Sequence, residues 1–124
     1  VTALAVLLVA TGGGVGAVLR FVLDGLVKER VTRFPLGTLL INVTGSFVLG
    51  LVTGLGETGA LAVPMVAVLG TGMMGGYTTF STASVETVQL LRSGKTRLAV
   101  LNGLGMLVVS VGAAALGLWL GRNS

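Results

Sequence analysis

The sequence predicts an all-α membrane protein of four transmembrane helices, the third broken near its centre. Three observations predict it. Hydrophobic residues make up 53% of the 124 and charged residues only 10%, whereas an ordinary soluble domain carries roughly 25% charged residues. The apolar residues fall into four long stretches, at about 2–27, 36–56, 61–91 and 98–120, and crossing the hydrocarbon layer takes about 20 such residues. The joints between them are short, which makes consecutive helices antiparallel neighbours in one domain.

The first stretch is rich in glycine and ends with Arg20 and Asp24 near the interface. It lacks a basic n-region and an A-x-A-like cleavage site, so it is read as a retained helix and not as a signal peptide. The chain begins at Val1, and the natural start is expected upstream. Arg20 either snorkels to the interface or forms a positive vestibule that concentrates anions.

The second stretch follows Phe34-Pro35, and proline favours the start of a helix. Thr38, Asn42 and Ser46 recur every four residues and share one face. Asn42 is costly to leave in lipid. It either bonds to another helix or lines a pore and donates to an anion.

The third stretch has Pro64 in its first turn and is too long for one span. Gly70-Thr71-Gly72-Met73-Met74-Gly75-Gly76 followed by Tyr77-Thr78-Thr79-Phe80-Ser81-Thr82 makes a poor continuous helix. A break near 75–79 would divide it and free backbone groups, which in a membrane need protein, water or ions as partners. A kinked helix with packing glycines is the other reading. Beyond it, Thr79, Thr82, Glu86 and Gln89 form one polar stripe, with Glu86 either in a wet vestibule or near the interface.

In the fourth stretch, Asn102 and Ser110 lie two turns apart and extend a polar track. Gly12, Gly16, Gly45, Gly50, Gly54, Gly103 and Gly105 are read as packing glycines that let backbones approach closely.

The inventory excludes much chemistry. Without Cys or His there is no zinc or haem site built on those ligands and no Ser-His or Cys-His nucleophile pair. The four acids, Asp24, Glu29, Glu57 and Glu86, share no evident catalytic site, so the chain is not expected to be an enzyme. The net charge of +4 comes from short clusters between apolar runs, which suit a membrane surface and not nucleic acid. Under four spans, Lys28, Arg30, Arg33, Arg92, Lys95 and Arg97 fall on one side and Arg122 on the other, which places both termini outside.

Gly13-Gly14-Val15-Gly16-Ala17-Val18-Leu19-Arg20, Pro35-Leu36-Gly37-Thr38-Leu39-Leu40-Ile41-Asn42-Val43-Thr44-Gly45-Ser46-Phe47 and Gly75-Gly76-Tyr77-Thr78-Thr79-Phe80-Ser81-Thr82 together resemble the fluoride channels called Fluc or CrcB-like. The resemblance covers three of the four helices in order. It implies a passive fluoride-selective channel in the cell membrane that relieves fluoride toxicity, built as an antiparallel dimer with two pores. It implies a structural Na⁺ held by the backbone carbonyls of Gly75 and Thr78 from each subunit. Phe80 would meet fluoride with its ring edge, Asn42 would donate to it and Arg20 would line the entrance. Thr79, Ser81 and Thr82 would join the pore wall, with Thr38, Glu86 and Ser110 as further ion-pathway candidates. Many members carry a second Phe three residues after the first; here that position is Ala83.

A chain that inserts in both orientations should show little charge bias, so the one-sided cations point to a homologous partner of opposite orientation as the alternative to a homodimer. Two other functions stay open: a proton-coupled exporter of small cations, which uses a carboxylate in its first helix, and a non-transporting assembly subunit.

Overall fold

The computed structural model describes residues 2–30 and 34–124. Arg33, counted above among the basic residues, lies outside the described residues. Among those described, all regular structure is helical.

Helix α1 spans Ala3–Lys28, opened by the Thr2 hydroxyl accepting from the Ala5 amide at 3.1 Å and closed by a Lys28–Asp24 ion pair at 2.9 Å. Helix α2, Leu36–Glu57, starts directly after Pro35. Helix α3 covers 63–77 and has Pro64 in its first turn, where a missing N–H costs nothing. Helix α4 spans Ser81–Arg92, and α5 spans Thr96–Arg122. Two segments, Ala67–Met74 in α3 and Leu101–Gly105 in α5, widen to π-helix. Helix α4 ends in a Schellman turn: Gly94 takes φ +78°, its amide bonds the Leu91 carbonyl, and the Lys95 amide bonds the Leu90 carbonyl at 2.9 Å.

Helices α1, α2 and α5 are long and apolar enough to cross a membrane. The fourth element is α3 with α4, two shorter pieces joined at 78–80. Leucines, valines, Phe21 and Trp119 stand exposed along the outside, as a lipid-facing surface requires. The fully buried apolar side chains are few: Ile41, Val52, Met74, Ala99 and Met106.

Glycine takes the place of a large core in two seams. In the first, α2 meets α5: a methyl group at Gly54 or Gly121 would stand 2.6 Å from the carbonyl oxygen of Leu118 or Leu51. Gly50 and Gly117 press still closer, onto the Ala114 and Phe47 carbonyls. The second seam joins α1 to α3, where a methyl at Gly12 or Gly72 would lie 2.9 or 2.7 Å from the Val68 or Val9 carbonyl oxygen. Gly16 and Gly76 meet the Met73 and Gly13 carbonyls. Each helix contributes two glycines four residues apart, the spacing that lets membrane helices touch backbone to backbone. Two glycines expected to pack do not: Gly105 has open space beside it and Gly103 makes only ordinary contact with Thr87.

The ends of the bundle differ. Lys28, Phe34, Ser93 and Lys95 line one recess, so the α1–α2 and α4–α5 joints share an end. Glu57 pairs with Arg122 at the other, joining the end of α2 to the end of α5.

Candidate functional site

Helix α3 stops because Thr78 turns to an extended conformation, φ −81° and ψ 158°. Its hydroxyl and its amide both donate to the Met74 carbonyl, at 2.9 and 3.0 Å, and so close the last turn. Thr79 then holds the break. It is buried, and its hydroxyl accepts from the Thr82 amide at 3.2 Å, satisfying one of the free donors at the start of α4. The Thr79 amide donates to Asn42 Oδ1, and Asn42 Nδ2 donates back to the Thr79 carbonyl, both at 2.8 Å. An amide can only donate and a carbonyl only accept, which fixes the orientation of the Asn42 side chain. Asn42 therefore completes the backbone at the break as a neighbouring strand would.

The break frees the carbonyls of the last turn of α3, those of Gly75 and Thr78 among them. In a continuous helix the Thr79 amide would bond the Gly75 carbonyl and the Thr82 amide would bond the Thr78 carbonyl. Both amides are diverted, to Asn42 Oδ1 and to Thr79 Oγ1. Gly75 and Thr78 thus keep carbonyls without their helical donors, and the space beside Gly75 is open. Hard oxygen donors of this kind fit an alkali cation. Among the described residues there is no acidic or histidine cluster that could hold a metal by side chains.

Beside the break lies a groove of about 540 Å³, walled by α2, α4 and α5. Asn42, Thr78, Thr79, Phe80 and Ser110 of the sequence-derived set line it, and Ser46, Thr87, Asn102 and Met106 join them. Phe80 is 87% exposed at its edge. Asn102 is 1% exposed and donates to Thr87 Oγ1 at 2.8 Å, which donates to the Ala83 carbonyl at 2.8 Å. Asn102 Oδ1 and Ser110 Oγ are buried with no partner among the described residues. Ala83 lines the groove as well, so no second ring stands one turn from Phe80.

Other candidates lie elsewhere. Glu86 and Gln89 line a separate recess of about 380 Å³ with Lys28 and Lys95, on the other flank of α4. Thr38, 1% exposed, lies beside Glu86 but does not line that recess. Ser81 touches the Thr79 hydroxyl at 3.4 Å but lines neither recess, nor does Thr82. Arg20 sits half-buried on α1, outside both. Thr87 and Met106 had no signal in the sequence: one follows the stripe by a single residue, and the other is an ordinary apolar residue on an apolar helix.

A four-helix, multi-pass membrane protein whose third helix opens its backbone onto a mostly apolar groove set with a few polar side chains is the class that this architecture defines. Residues 7–118 match the family described as CrcB-like protein, Camphor Resistance (CrcB), and the chain belongs to it. It is 58% identical over 121 residues to the fluoride-specific ion channel FluC 1 of Leifsonia xyli, covering 97% of this chain and 88% of that protein. It is 47% identical to FluC 2 of Cutibacterium acnes, covering 93% and 95%, and 42% identical to FluC of Shewanella halifaxensis, covering 95% and 93%.

Proposed function

We propose that the chain forms a passive, fluoride-selective channel of the cell membrane that lets fluoride leave the cell. The observation that carries this reading is the groove at the broken helix. It joins an exposed aromatic, an amide and several hydroxyls beside freed backbone, in a chain whose relatives are named fluoride-specific channels. It is not an enzyme.

A dehydrating fluoride needs positive partners in place of water. The Phe80 ring edge carries partial positive charge, Asn42 supplies N–H, and Ser110 carries a hydroxyl without a partner among the described residues. Arg20 raises the anion concentration at an entrance, while Glu86, in the second recess, and Thr38 beside it belong to the approach and not to the narrow part. Thr82 and Ser81 act through Thr79, by shaping the break.

The carbonyls of Gly75 and Thr78 would hold a sodium ion, and a fixed cation there offsets the repulsion between anions. Gly75 lies on the open surface of the chain, which leaves room for a second chain there, and the family resemblance makes the pair antiparallel. The one-sided cations favour a homologous partner over a second copy. A C-terminal tag found equally on both membrane faces would overturn that preference.

The direct test is efflux from liposomes loaded with fluoride and containing the protein purified as the assembly it forms in the membrane. A fluoride electrode should record efflux without nucleotide or proton gradient, with chloride retained. No fluoride efflux, or equal chloride efflux, would overturn the reading.

A further inference from the structure

Asn42 has one acceptor and two N–H donors. Thr79 takes the acceptor and one donor. The same nitrogen lies 3.2 Å from Met106 Sδ, which receives the second. A thioether is a weak acceptor, so this donor, unlike the first, is held by a partner that an anion outcompetes.

Met106 stands in the middle of a polar row. Asn102, Met106 and Ser110 are each one turn apart on α5 and share a face, and all three line the groove. The two polar neighbours carry buried atoms without partners, Asn102 Oδ1 and Ser110 Oγ. Met106 is itself 6% exposed and fills the space between them. Its side chain is unbranched with three rotatable bonds, so it can withdraw without moving the backbone.

We propose that Met106 sets the fluoride affinity and throughput of the groove: its sulfur masks the second N–H of Asn42, and an anion gains that donor by displacing the thioether. This rests on the channel reading above and adds the residue that tunes it. Asn42 then does two jobs with different halves of one amide. One half fixes the break permanently, and the other is lent to Met106 between ions.

Efflux from fluoride-loaded liposomes is compared for wild type, Met106→Ser, Met106→Ala and Met106→Leu. Freeing a donor held by a weak acceptor, worth the low end of an ordinary hydrogen bond, should raise fluoride efflux about threefold in the Ser and Ala variants. The Leu variant keeps the volume but is branched and withdraws less readily, so its efflux should stay at or below wild type. A conducting wild type with Ser and Ala variants that elute as the same assembly yet carry no more fluoride overturns the inference and leaves the channel reading standing. Silence in wild type and all variants overturns the reading and the inference together. A second measurement does not depend on flux. The methionine methyl resonance that vanishes in Met106→Leu should move when sodium fluoride is added and stay still with sodium chloride. A resonance indifferent to fluoride in a conducting protein overturns the inference.

Discussion

The two glycine seams and the groove beside the broken helix solve opposite problems with the same helices. In the seams, α2 lies on α5 and α1 on α3 so closely that carbonyl oxygens sit where side chains would be. Their contacts are van der Waals and backbone approach, with the Glu57–Arg122 pair added at the end of the α2–α5 seam. In the groove, α2, α4 and α5 stay apart, and threonine, serine and asparagine side chains stand among apolar ones along the gap. The seams hold the frame so rigidly that the groove can leave backbone and side-chain atoms without partners. Changes in the seam should therefore destroy folding and transport together, and changes in the groove transport alone.

The largest effect should come from Gly50→Leu. Overpacking usually costs about 1–3 kcal/mol when neighbours can give way. Here the neighbour is the Ala114 backbone, so the monodisperse peak on size-exclusion chromatography should disappear. Gly112→Ala, which meets nothing within 4 Å, should elute as wild type; a lost peak there would break the distinction between seam and open face.

Next comes Asn42→Asp. The carboxylate still accepts from the Thr79 amide but sets an oxygen against the Thr79 carbonyl, where Nδ2 had donated. It also adds negative charge beside an anion path. Fluoride efflux should fall at least about tenfold, the weight of one lost charge-sensitive contact of 1.4 kcal/mol or more, and thermal stability should drop as well. Full efflux would remove Asn42 from the path.

Phe80→Ile should leave the assembly intact, because the ring is 87% exposed and supports no core. Efflux should still fall, since an aliphatic side chain has no positive edge. Unchanged efflux would take Phe80 out of the pore. The smallest effect belongs to Glu57→Gln. The Glu57–Arg122 pair is exposed at the end of the bundle, and such pairs add little, so both melting temperature and efflux should match wild type.

Much of the frame was legible in the sequence because lipid imposes a strong pattern. Four apolar runs and short joints fix the number and direction of the helices. The weakness of the third helix followed from Gly70 to Gly76 and the threonines after them, and the helix gives way at 78–80. The partner of Asn42 was not legible. Thr79 lies 37 residues away, and a spacing of four on α2 says which face Asn42 occupies, not what stands opposite. The stripe Thr79, Thr82, Glu86 and Gln89 is continuous on paper, yet in space Glu86 and Gln89 face one recess and Thr79 the other. Helical period cannot tell which neighbour each edge of a stripe meets. Gly103 lies in the π-widened segment of α5 and makes only ordinary contact with Thr87, and Gly105, which closes that segment, meets nothing in this chain. Gly117 and Gly121, further along α5, do the close packing.

The cut at 78–80 also has an electrical consequence. A helix is a dipole, partially positive where it begins and partially negative where it ends. Dividing one span creates two new poles deep inside the bilayer, where water screens them least. The tail of α3 presents its negative pole at Gly75 to Thr78, and the head of α4 presents its positive pole at Phe80 to Thr82. A few residues of main chain would thus draw a cation and an anion to adjacent places, without an acidic or basic side chain at either.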